Sequence, residues 1–85
     1  MALTGTITTF TDSILETVFT GTITTGFICT NNTPSDMVLQ LTADEGLIIK
    51  KYSTIQIMGS TGAITATAQP LDGFETTGEV YFINM

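Results

Sequence analysis

Eighty-five residues set the scale of one small domain, 1–85. The formal charge of −6 comes from eight carboxylates against two cations, Lys50 and Lys51, and there is no His. That balance argues against binding nucleic acid, which needs cations to displace counterions from phosphate. It argues equally against an anionic membrane surface.

A domain this small buries about 60–65% of its unfolded surface, and its stability is expected to be on the order of 4–13 kcal/mol. Such chains gain from disulfides, metals or association. Cys29 is the only cysteine, so no disulfide can close within the chain. Without His or a clustered carboxylate set, no metal and no cofactor is expected. Association remains, and the expectation is a homo-oligomer.

Threonine is the commonest residue, at nineteen. It is β-branched and favours strands. No segment keeps an apolar period of 3.6 over three turns. The chain therefore reads as all β. The first strand is expected over about Leu3–Thr11, the second over Ile14–Thr20 and the third over Thr22–Thr30, with Ile23, Phe27 and Cys29 inward. A loop follows at Asn31–Ser35. Met37–Ala43 alternates most cleanly, with Met37, Leu39 and Leu41 inward. Asp44-Glu45-Gly46 reads as a turn. Leu47–Met58 is too long for one strand, and its phase changes near Tyr52-Ser53-Thr54, which predicts a bulge or a break. Gly59-Ser60-Thr61-Gly62 has the glycines of a tight hairpin turn. Ile64, Ala66 and Ala68 then face one way. The small alanines imply a bulky neighbour, Phe74 or Phe82. Pro70-Leu71-Asp72-Gly73 is a further turn, and Glu79–Asn84 is the last strand. Seven or eight such strands predict a small antiparallel β-sandwich or squashed barrel.

Thr-Gly-x-(Ile/Val) recurs at Thr4, Thr20, Thr61 and Thr77. It reads either as a duplicated hairpin or as chance in a Thr/Gly-rich chain.

Gly59, Ser60, Gly62, Ala63 and Ile64, followed by Leu71-Asp72-Gly73-Phe74, form an order that resembles small β-rich structural proteins of tailed bacteriophages. Phe74 stands where those sequences often carry Trp. The resemblance covers roughly a quarter of the chain. It implies a virion component and not an enzyme.

The residues themselves offer no reaction. A nucleophile needs an adjacent base, and Cys29 has no His to serve it. Its alternation with Ile23 and Phe27 makes it a small buried hydrophobe. Most of the carboxylates sit where turns are expected, and there Asp serves local hydrogen bonds. The Gly59–Gly62 stretch lacks the Lys and following helix of a phosphate loop. Thr-x-Thr triplets at Thr6/Thr8, Thr22/Thr24 and Thr65/Thr67 are similar to those of ice-binding β-solenoids, but those need a constant short repeat that this chain lacks.

The last strand is the most informative surface. Val80 and Phe82 can face the core, which leaves Tyr81, Ile83 and Met85 apolar on the other side. A strand apolar on both faces is usually covered on both. Tyr81, Ile83 and Met85, with Leu3 near the N-terminus, are therefore the expected subunit interface; the alternative readings are a central strand under a second sheet or a frayed end. The expected function is a non-enzymatic head decoration or cement protein of a bacteriophage virion. Its partners would be copies of itself, as a trimer, and a major capsid or other virion protein. A tail, neck or fibre subunit and a monomeric carbohydrate-binding module are the alternatives. MALTGTITTF shows no basic, then apolar, leader, so the chain is expected to be used in a cytoplasm or assembled there into something larger, which the phage resemblance implies is a virion in its host.

Overall fold

The computed structural model describes residues 4–42 and 45–85. Alternating apolar and polar side chains build eight strands: β1 (Thr4–Phe10), β2 (Glu16–Ile23), β3 (Gly26–Asn32), β4 (Met37–Thr42), β5 (Glu45–Ile49), β6 (Ser53–Met58), β7 (Gly62–Pro70) and β8 (Gly78–Asn84). They form two antiparallel sheets of four, ordered β1-β8-β3-β6 and β2-β7-β4-β5. The expected all-β sandwich is the architecture observed.

The pairing has a simple rule. The first strand pairs with the last, the second with the seventh, the third with the sixth and the fourth with the fifth. The chain is thus one long antiparallel ribbon folded over itself, with β3·β8 and β4·β7 as the seams that complete each sheet. This is a jelly-roll order, a double Greek key that packs two sheets face to face.

Only β4 and β5 are consecutive strands of one sheet; every other connection between described strands crosses from sheet to sheet. Gly59–Gly62 is therefore not a hairpin turn. β6 pairs with β3, and β7 pairs with β2 and β4. Gly59 and Gly62 do have the positive φ expected, 128° and 71°, but the same backbone freedom serves a crossing. The break in Leu47–Met58 is also a crossing, with Tyr52 at φ 54°. Glu45 and Gly46, read as part of a turn, begin β5, while Asp44 lies outside the described residues. The Thr-Gly echo falls on β1, β2, β7 and β8, which pair as β1·β8 and β2·β7 and so are no duplicated hairpin. Gly21 faces Ile64 and Ile23 faces Gly62, a reciprocal match across that ladder.

Burial explains the alternation. Met37, Leu39 and Leu41 of β4 point inward, as do Ile64, Ala66 and Ala68 of β7 and Val80 and Phe82 of β8. Ile23, Phe27 and Cys29 join them, as expected. In β2 a register shift between Thr17 and Phe19 turns both Val18 and Phe19 inward, as a β-bulge does by adding one residue to one strand. The ring of Phe82 lies between Phe19 and Phe27, with centroids 4.7 and 4.8 Å away and planes nearly parallel. Ala66 sits beside Phe19 in the ladder, where its small side chain leaves room for the ring. Phe82 thus fills the core, whereas Phe74 is exposed.

Candidate interaction site

Residues directly opposite in a ladder share a face of the sheet, so the register defines both outer surfaces. On the β1-β8-β3-β6 sheet, one outer row runs Ile7, Tyr81, Thr30, Thr54, and the next runs Gly5, Ile83, Ile28, Gln56. Met85 then lies beside Gly26, whose carbonyl accepts its N–H at 3.0 Å, and Gly26 faces Met58. Tyr81, Ile83 and Met85 therefore share this outer face, each half-buried. The structure adds Ile7, Ile28 and Met58 from three other strands. Ile7 is 66% exposed. Leu3, the fourth expected interface residue, lies outside the described residues.

Polar groups border this patch. The Tyr81 hydroxyl donates to Glu79 Oε1 at 3.1 Å. The hydroxyls of Thr30 and Thr54 bond each other at 2.9 Å. The amide of Gln56 approaches the sulfurs of Met58 and Met85 at 3.4 and 4.0 Å. Sequence reading missed Ile7, Ile28 and Met58 because each sits singly on its own strand. Only the ladder puts them beside β8.

The opposite surface, on β2-β7-β4-β5, carries threonines on β2 and β7, and on β4 and β5 an apolar pair, Val38 facing Ile48, which is 55% exposed. Thr20 faces Thr65, Thr22 faces Ala63, and Thr67 lies between Thr17 and Gln40. Thr65 and Thr22 are exposed. A shallow hollow of about 300 Å³ opens between Thr20, Thr22, Ala63 and Thr65. Thr6 and Thr8 behave differently. They lie on the inward side of edge strand β1, opposite Phe82 and Val80. Their hydroxyls donate to the carbonyls of Val18 and, at 3.5 Å, Thr17. That joins β1 to β2 along one side of the sandwich.

A third surface is the end where β1, β3, β5 and β7 finish. Its loops cover residues 11–15, 33–36, 50–52 and 71–77. Asp36 ties two of them: its Oδ1 accepts the Lys51 N–H at 2.9 Å and its Oδ2 lies 3.6 Å from Lys50 Nζ. The Lys51 hydrogen bond, followed by the nearby lysines, holds its carboxyl below the usual range. The Asp36 carbonyl also accepts the Leu71 N–H at 2.9 Å, and the Asp12 carbonyl accepts the Thr76 N–H at 3.4 Å. The two halves of the phage-like pattern, Gly59–Ile64 and Leu71–Phe74, lie at opposite ends of β7 and form no common site.

Cys29 is fully buried, and burial pushes its thiol up to about 12. A thiol so placed stays protonated and inert. No group of three or more metal-ligating side chains occurs among the described residues. No helix among them is long and apolar enough to cross a membrane. Compared with known proteins, the chain matches no family model, no curated protein and no solved structure.

Proposed function

We propose that this chain is a non-enzymatic structural subunit of a bacteriophage virion, a head decoration or cement protein that works as a homo-oligomer. One observation carries the reading. Ile7, Tyr81, Ile83, Ile28, Met85 and Met58 lie on one outer sheet face, where a lone soluble sandwich would show polar side chains. A second copy would cover it. The phage-like order of Gly59–Ile64 and Leu71–Phe74 supports the virion setting. So does the jelly-roll order, by analogy of fold alone, since jelly rolls build viral shells and also lectin domains.

The test is native mass by light scattering over a range of concentrations, for the wild type and Ile83→Asp. A trimer that persists on dilution, and becomes a folded monomer in Ile83→Asp, supports the reading. A wild-type monomer at every concentration refutes self-association through this face. A monomer whose melting temperature rises with added oligosaccharide would point to the carbohydrate-binding alternative instead.

A further inference from the structure

We propose that the loop end of the sandwich is the surface that seats this subunit on a larger protein shell, and that the shell offers it an apolar hollow rimmed by Lys or Arg. The proposal rests on the virion reading and assigns the second contact that reading needs, distinct from the outer sheet face.

Five large apolar side chains project from three loops at this one end: Ile14, Leu15, Tyr52, Leu71 and Phe74. Ile14 is 64% exposed and Phe74 73%. The described connections at the opposite end, residues 24–25 and 59–61, carry only Thr, Gly and Ser. Clustered exposed apolar groups with a polar border mark contact surfaces.

These side chains are presented by built turns. Asp12 Oδ1 accepts the Ile14 N–H at 2.9 Å, and Asp72 Oδ1 accepts the Phe74 N–H at 2.9 Å. The same Asp-x-apolar arrangement thus occurs in two unrelated loops, and each time it leaves the apolar residue in solvent. The four loops are then linked through Asp36, Leu71, Lys51, Asp12 and Thr76. A preorganised surface spends less entropy on binding.

Tyr52 adds a third observation. It is the one described non-glycine residue with positive φ, at 54°, and it is 66% exposed. A left-handed backbone is unfavourable for a bulky residue, and this ring stays mostly exposed. Strain kept without a packing reward is a mark of function.

Charge selects the occupant. Asp12, Glu16, Asp36, Asp72, Glu75 and Glu79 all lie in these loops or at the strand starts beside them, against Lys50 and Lys51. The rim is therefore acidic. Two copies set end to end would repel, and so would an anionic lipid surface. A basic-rimmed protein surface is complementary.

The experiment is co-sedimentation with protein shells from the virion that carries this chain, stripped of native copies, at low and high salt. Phosphatidylcholine vesicles form a parallel arm. The proteins are the wild type, Ile14→Ser/Phe74→Ser and Tyr52→Gly, with native mass checked for each. The proposal expects wild-type binding that weakens as salt rises. It expects at least a tenfold loss in the double variant and a clear loss in Tyr52→Gly, with oligomeric mass unchanged in both. Shell binding by the double variant at wild-type affinity overturns this proposal and leaves the virion reading standing. Salt-independent binding overturns the basic rim. Binding to the vesicles that the double variant loses replaces the protein partner with lipid. A wild type that binds no shell overturns the virion reading, and this proposal with it.

Discussion

The side-chain amide of Asn31, on β3, donates to the carbonyl of Ile49, on β5, at 3.0 Å, and this bond runs from one sheet to the other. The same nitrogen also lies 2.8 Å from the Ser35 carbonyl and 3.2 Å from that of Lys50. Asn31 Oδ1 accepts the N–H and hydroxyl of Thr33 at 3.1 and 2.6 Å. Asn31 and Thr33 are both fully buried. One side chain therefore satisfies a turn and a strand end that would otherwise bury unpaired polar groups. Asn31→Ala strands several of them at once and is expected to cost about 2–4 kcal/mol in urea unfolding. Asn32→Ala, one residue on and exposed, serves as the control and is expected to change little.

Cys29 should report global unfolding. Its thiol is buried and its pKa is raised to about 12. A thiol reagent at mild alkaline pH is expected to react only at the rate at which the whole sandwich opens, and adding urea should speed labelling in step with unfolding. Above the ordinary thiol value of 9.0 the unfolded chain loses a proton that the folded chain keeps, so stability falls as pH rises from there towards about 12. Cys29→Ala should flatten that slope.

Asp36 gives the opposite sign. Its carboxyl is held below 3.8, first by the Lys51 N–H and then by the lysine charges. A lowered folded pKa stabilises above the ordinary carboxylate value and is lost as pH falls through the lowered one. Urea midpoints measured from about pH 5 down to about pH 2 should drop less in Asp36→Asn than in the wild type.

Gly78 begins β8 with φ 146°, and a Cβ there would collide with the Asn32 carbonyl. Gly26 begins β3 with φ 153°, and a Cβ there would meet the Ile57 carbonyl. Each contact is with ladder backbone, which cannot yield as a side-chain tip can. Gly78→Ala and Gly26→Ala are each expected to destabilise by more than about 2 kcal/mol, read as a fall in thermal midpoint.

Tyr52→Gly should do the reverse. Glycine relieves a left-handed residue, and the exposed ring loses little packing. A gain of about 1 kcal/mol is expected in chemical unfolding. A loss of stability on this change would mean that the ring supports the fold.

Much of the β-structure was readable from period two. Met37–Thr42 shows why: with one face on the core, Met37, Leu39 and Leu41 must all be apolar, and the pattern declares itself. The inward set of β7 and β8 was readable for the same reason. The Gly59–Gly62 turn was not. Glycine reports that the backbone must bend through positive φ, but it does not say which sheet the next strand joins. Asn31 was equally opaque, because an Asn-Asn-Thr-Pro-Ser run looks like a solvated loop until Ile49 is brought beside it.

Sequence alone determined that this protein is a β domain with an acidic surface, a buried unreactive thiol and a last strand apolar on both faces. Those properties follow from residue type and local spacing. The tertiary structure decided that consecutive strands other than β4 and β5 exchange sheets, that Ile7, Ile28 and Met58 join Tyr81 and Ile83 on one face, and that Ile14, Tyr52 and Phe74 share one end. Each depends on pairing between residues far apart in the chain. Hydrophobic burial favours any arrangement that covers the apolar faces, and only the full set of ladders and crossings selects one.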